Sequence, residues 1–201
     1  MIPVSPQPEP AAFDTRVRRP GDEWIVRHNL ERDQPLPKNM EYPAYWTKQE
    51  DGYSCLEQLY QTYAKVCAYT GLFISSSAKS VDHFVPKSRL VDLAFEWSNY
   101  RLACRNINSI KKEFEDVLDP FFLMAETFFL VLETGEIYVN PRLENPQEAE
   151  QTIRRLELDS EELTAIRADY YADFKDNAEN LRKYAPFVFL EAKRQGLLAL
   201  E

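Results

Sequence analysis

The stretch VDHFVPKSRLVDLAFEWSNYRLACRNINSIKK, residues 81–112, decides how the rest of the chain is read. It places an acid–histidine pair, Asp82-His83, ahead of Asn99 and Asn108, at separations of 16 and 9 residues. A short strand is expected over Val81–Val85, ended by Pro86, which has no N–H to give a ladder. After Trp97 a loop leads to a second strand at Arg101-Leu102-Ala103. A helix is then expected from near Asn106 or Asn108 through Phe114.

These residue types suit phosphodiester hydrolysis. That reaction needs an activated water, stabilisation of the pentavalent phosphate and help for the departing oxygen, which one divalent metal and one general base can supply. His83 is the candidate base, because a free imidazole with a pKa of about 6.5 is largely deprotonated at neutral pH. The other of the two histidines, His28, has no comparable neighbours. Asp82 and Asn108 offer hard oxygen donors suited to Mg2+ or Mn2+. Asn99 is better placed as a clasp, its amide bonding loop backbone and fixing where His83 points. Adjacent strand residues face opposite ways, so Asp82 and His83 share one site only if the chain bends near Pro86.

Charge points two ways. The chain carries −9 overall, unusual for a protein that grips phosphates. Between Lys79 and Lys112, however, seven basic residues face three acids, a local surplus of four positive charges against −13 elsewhere. Lys87, Arg89, Arg105 and Lys111 are the expected substrate contacts. So small a basic surface gives little long-range steering, which implies that a partner supplies much of the nucleic-acid affinity.

At 201 residues the chain can hold one sizeable core or a small catalytic unit with an extension. No apolar run approaches the roughly 20 residues of a membrane span. The opening MIPVSPQPEPAAF lacks a secretory pattern, so a cytoplasmic protein away from membranes is expected. Residues 1–50 are rich in proline and read as an extended arm, with Trp24, Tyr42, Tyr45 and Trp46 able to anchor it over a core or a partner. Residues 51–120 form the core. It opens with a helix at Ser54, whose Glu57 three residues on completes a capping-box pattern, and a short strand at Leu72-Phe73-Ile74 follows Gly71. Residues 121–201 read as an extension: a hairpin in FFLVLETGEIYVNP, then helices at about 146–157, 160–183 and 186–198, with Pro146 and Pro186 in their first turns. The fold class expected is α+β.

Val81-Asp82-His83, Pro86-Lys87-Ser88, Trp97 with Asn99, and Leu102 through Lys111 resemble the HNH endonucleases of the ββα-metal fold. The resemblance implies that His83 activates water, Asn99 holds the loop, and Asp82 and Asn108 bind the metal. Asn108 stands where many members have histidine, a common substitution that keeps an oxygen ligand. Many relatives also bind structural zinc through two C-x-x-C pairs. Here each pair has lost its second cysteine, at Thr70 after Cys67 and at Ile107 after Cys104, so no structural zinc is expected. Cys67 and Cys104 are expected close together and buried beside Ile107 as reduced thiols. A narrower resemblance spans most of the chain. Met-Ile-Pro-Val at the start, PKS after His83, EWSNYRLAC, Asp119-Pro120 and TIRRLELDSEELTAIR are similar to the PtuB nuclease subunits of Septu-type and retron-associated anti-phage systems. That likeness implies an antiviral defence role beside an ABC/SMC-like ATPase subunit of the PtuA kind. The expectation is a metal-dependent endonuclease acting on nucleic acid, DNA favoured and RNA open. The alternatives are a catalytically inactive assembly or nucleic-acid-binding subunit on the same scaffold, and a toxin nuclease acting alone.

Overall fold

The computed structural model describes residues 1–198. The chain gathers into two compact units that interleave in sequence. One joins Pro6–Lys65 to Ser76–Glu115 and is called here the His83 unit. The other joins Met1–Ser5 and Val66–Ser75 to the chain from Asp116 onward, and is called the hairpin unit. The expected arm does not stand apart, since all but its first five residues pack within the His83 unit.

In the His83 unit the expected extended arm is corrected first. A turn of π-helix, Asp14–Arg18, runs into helix α1 (Arg19–Arg27). Proline fails to forbid it because Pro10 precedes the helix and Pro20 follows the π-helical turn, where Arg19 N–H bonds Asp14 O five residues back and the widened turn makes room for the proline ring. Gly21 is needed for a close approach: a Cβ there would lie 2.2 Å from the Phe95 ring. Residues 28–48 form neither helix nor strand, and here Pro35, Pro37 and Pro43 do keep the backbone irregular. They are held by side chains. Trp24, Trp46, Phe95, Trp97, Tyr100 and Phe13 are all buried, and the rings of Trp24, Tyr42, Tyr45 and Trp46 lie 5.9–6.1 Å from Phe95. Each such ring buries on the order of 150–250 Å², so the proline-rich segment is core wall rather than tail.

Strands β1 (Gln49–Glu50) and β2 (Tyr53–Ser54) pair as a small hairpin leading to α2 (Cys55–Thr62). Ser54 caps α2, its Oγ accepting from Glu57 N at 3.2 Å, while the Glu57 carboxylate turns away to Lys79 and Gln61. Only half of the capping box forms. Strand β3 (Lys79–His83) pairs antiparallel with β4 (Tyr100–Cys104), setting Asp82 opposite Arg101 and His83 opposite Tyr100. The chain then passes directly from β4 into α3 (Arg105–Lys111), which begins just before the expected start and ends three residues before Phe114. Arg105 N donates to Ala78 O at 2.8 Å, fixing this helix against the start of β3, and Ile107 is buried beneath it.

The hairpin unit carries the expected hairpin, β5 (Phe128–Leu130) with β6 (Ile137–Val139), antiparallel. Gly135 has φ +72°, and a Cβ there would lie 2.0 Å from Thr164 O, so glycine is required on both counts. The helices are α4 (Gln147–Arg155), α5 (Glu161–Phe174), α6 (Ala178–Tyr184) and α7 (Pro186–Arg194). The single helix expected over 160–183 is thus two. Asn177 divides them, because its side-chain oxygen accepts from Asn180 N at 3.0 Å and caps a new helix. The strand expected at 72–74 is only one bridge, Val66 to Phe73. Arg167 is buried and donates to the carbonyls of Gly135 and Leu158, tying the hairpin turn to the α4–α5 connection. The class is α+β. Among the described residues, no helix is long and apolar enough to cross a membrane.

Candidate active site around His83

β3 delivers Asp82 and His83 to different surroundings. His83 Nε2 lies 3.0 Å from Ala94 O. A carbonyl only accepts, so Nε2 carries the proton and Nδ1 holds the basic lone pair. Tyr100, opposite on β4, donates its hydroxyl to the same carbonyl at 2.8 Å and sets its ring 5.0 Å from the imidazole. Trp46 closes on the histidine from the proline-rich segment, edge to face at 4.6 Å. The imidazole is therefore almost wholly enclosed. Burial, with the nearby charges of Lys87 and Lys111, pushes its pKa down to about 3, and the bond to Ala94 opposes this in part.

Asp82 points to α3. Its Oδ1 meets Lys111 Nζ at 3.3 Å, and both side chains are buried. The same ammonium donates to His83 O at 3.3 Å and Phe84 O at 3.0 Å, and sits 5.3 Å above the Phe84 ring. Lys111 was expected at the surface as a substrate contact. The four-residue step from Ile107 to Lys111 on α3 instead carries it inward with the apolar face, where Asp82 and two carbonyls satisfy it.

Asn108, one turn earlier on α3, donates its amide nitrogen to Val81 O at 3.0 Å and Ser80 Oγ at 3.2 Å. That bonding leaves the amide oxygen as the atom able to coordinate a cation. Asn99, in the turn before β4, gives its whole amide to the loop: Oδ1 accepts from Val85 N at 2.8 Å, and Nδ2 donates to Val85 O and Leu93 O, each at 3.0 Å. The loop between β3 and β4 is held at both ends, which fixes the Ala94 carbonyl that orients His83.

The basic window does not form a continuous surface. Arg101 is buried, its guanidinium bonding Ser98 O and Tyr100 O beside the Phe84 ring. Lys79 pairs with Glu57, and Arg89 with Glu115 at 3.0 Å. Lys87 leans its ammonium over Trp46 at 5.1 Å, where lost hydration lowers its pKa. Arg105 and Lys112 remain exposed. Neither Lys111's partnership with Asp82 nor the cover that Trp46 makes over His83 was expected from the sequence. The density of aromatics before residue 50 was the available signal for that cover.

The metal donors expected from the sequence are one carboxylate, Asp82, here paired with Lys111, and one amide oxygen, Asn108. Two hard oxygens suit an ion such as Mg2+ that keeps several waters and takes others from phosphate. Among the described residues, no three His, Cys, Asp or Glu side chains gather as a metal cage. Cys67 is buried in the hairpin unit, and Cys104 is half-buried in the His83 unit. No protein-family model matches the chain, and no curated protein is similar to it.

Proposed function

We propose that the His83 unit is an HNH-type, ββα-metal endonuclease core that hydrolyses phosphodiester bonds, with DNA the favoured substrate. The observation that carries this reading is the β3–β4–α3 sequence of elements with its four side chains. The strand pair runs straight into a helix, Asp82 and His83 end the first strand, Asn99 ties the intervening loop, and Asn108 bonds back to β3 from the helix.

His83 is the general base. Its tautomer is set by Ala94, which leaves Nδ1 as the atom to take a proton from water, and a phosphate seated beside it would raise its basicity from the low value that burial imposes. Asp82 and Asn108 would hold a divalent ion, which supplies Lewis acidity and charge stabilisation at the phosphate. Lys111 stands against the same carboxylate and keeps it oriented toward α3. Asn99 is a positioning residue, acting through the loop that carries Ala94. Arg105, with Lys87 and with Arg89 in its exposed pairing to Glu115, would meet the backbone of the nucleic acid. So few contacts favour a partner that presents the substrate, in keeping with the likeness to PtuB subunits and their ATPase. In the hairpin unit, exposed Phe122 and Met124 offer apolar surface to such a partner.

A second reading has its own support. Trp46 covers His83 and Lys111 occupies one side of Asp82, as in an inactive scaffold kept for assembly. The two readings separate on one assay. The purified chain and its His83→Ala variant are incubated with plasmid DNA and with total RNA in Mg2+ or Mn2+, alone and with a PtuA-like ATPase. Cutting by the wild type alone, with both proteins equally folded by circular dichroism, is expected. Cutting that survives His83→Ala removes His83 from the mechanism, and no cutting under any condition favours the scaffold.

A further inference from the structure

A cavity of about 760 Å³ opens on the His83 unit between the proline-rich segment and the loop after β3. Its walls include Met40, Tyr42 and Trp46 from the segment, with Lys87 and Ser88 from the loop. Lys38 stands on the same wall, and the single acid present, Glu41, leaves a net positive charge among the lining groups. The aromatic walls are fixed in place. Tyr42 donates its hydroxyl to Lys87 O at 2.6 Å, and its ring packs 5.5 Å from Trp24 and 6.2 Å from Trp46. Ser88 Oγ, on the wall of this cavity, is buried with no hydrogen-bond partner. Such orphaned hydroxyls are uncommon in folded proteins and call for an explanation.

Trp46 links this cavity to the candidate base, since the indole that lines it also touches the His83 imidazole at 4.6 Å. The cavity thus lies on the far side of Trp46 from the His83 imidazole. The half-buried Tyr42 ring can accept a base face and the lysines at 38 and 87 complement a phosphate, while the buried Ser88 hydroxyl reaches a ligand only by turning outward. The volume is in the range of small-molecule sites, ample for one nucleotide.

We propose that this cavity seats an unpaired nucleobase of the strand being cut, with Tyr42 as the stacking wall and Lys38 and Lys87 as the polar contacts. The proposal rests on the nuclease reading and names the substrate class of that same site: a strand with a base free to leave its partner. It also gives Lys87, whose hydration is already partly lost over Trp46, a counter-charge.

The test uses the full chain carrying His83→Gln, so that hydrolysis does not consume the probe. Binding of 5′-phosphorylated thymidine dinucleotide is measured by calorimetry against an abasic dinucleotide of equal charge. The base-bearing probe is expected to bind about tenfold tighter or better, as stacking on aromatic side chains gives. Tyr42→Phe should keep that preference and Tyr42→Ala should lose it. Met40→Glu, at a residue outside the aromatic cluster, should weaken the base-bearing probe while leaving the melting temperature near that of the parent. Lys38→Glu should weaken both probes alike. Equal affinity for the two probes, or a preference that survives both Tyr42→Ala and Met40→Glu, overturns the proposal. Its failure is distinguishable from that of the nuclease reading. A wild type that cuts but shows no preference loses only the subsite, and one that never cuts yet shows the preference keeps the subsite without the catalysis.

Discussion

His83 concentrates the energetic peculiarities of the site in one side chain. Its folded pKa lies near 3 against about 6.5 unfolded, so between those values the unfolded chain takes a proton that the folded chain refuses. The sign follows: the stability associated with a neutral His83 is fully present above pH 6.5 and is lost as pH falls toward 3. The loss runs at about 1.4 kcal/mol per pH unit. Urea unfolding at a series of pH values should show this extra acid slope in wild type and not in His83→Gln; parallel slopes would contradict the burial argument. Lys111 supports a second expectation. Lys111→Met leaves Asp82 buried without its ammonium, which costs about 3–5 kcal/mol. The double variant Lys111→Met with Asp82→Leu should recover much of that loss, since an apolar pair removes the uncompensated charge. The pairing of Asp82 with Lys111 was hidden in the sequence because a lysine is rarely buried and nothing in NINSIKK says which of its two lysines turns inward. The bonding of Asn99 to loop backbone was easier to see, because an amide in a turn beside a strand has backbone groups within reach.

At the scale of elements, glycine and asparagine set limits that hydrophobic pattern alone does not reveal. Gly21→Ala should destabilise the chain by about 1–3 kcal/mol despite alanine's better helix propensity, because its methyl meets the Phe95 ring. Pairing it with Phe95→Leu should restore part of the loss in thermal melts, whereas a stabilised single variant would refute the packing argument. The same two residue types explain which elements were legible. The β5–β6 hairpin was plain because Gly135 stands between two apolar runs. Strands β3 and β4 were found to within two residues at each end, their limits set by pairing with each other rather than by local composition. Helix α1 was missed because proline was counted without regard to its surroundings; Pro20 follows a π-helical turn that accommodates it. The division of 160–183 was missed because Asn177 as a cap looks no different in sequence from Asn177 inside a helix.

For the whole molecule, the proline-rich beginning changes its meaning from tether to wall. Trp24, Tyr42 and Trp46 cover Phe95 and His83, so deleting residues 6–46 should expose the aromatic core rather than trim an arm. The expected result is a chain that has lost its cooperative melt and binds a hydrophobic dye; an intact melt would show that the segment is dispensable. Charge follows the same logic. Of the basic surplus legible in residues 79–112, Lys111 and Arg101 are buried against Asp82 and main-chain carbonyls, while Lys79 and Arg89 pair with Glu57 and Glu115 nearer the surface, which a count along the sequence cannot reveal.

The chain crosses between its two units four times, after residues 5, 65, 75 and 115. On the ribosome the whole His83 unit emerges before most of the hairpin unit has been made. The segment Val66–Ser75 must then wait, already translated, for strands and helices that come later. Nor does severing one crossing release either unit, because the remaining passages still thread them together. A protease that nicks the chain once at such a crossing would leave a species that migrates as two fragments in denaturant and as one particle without it.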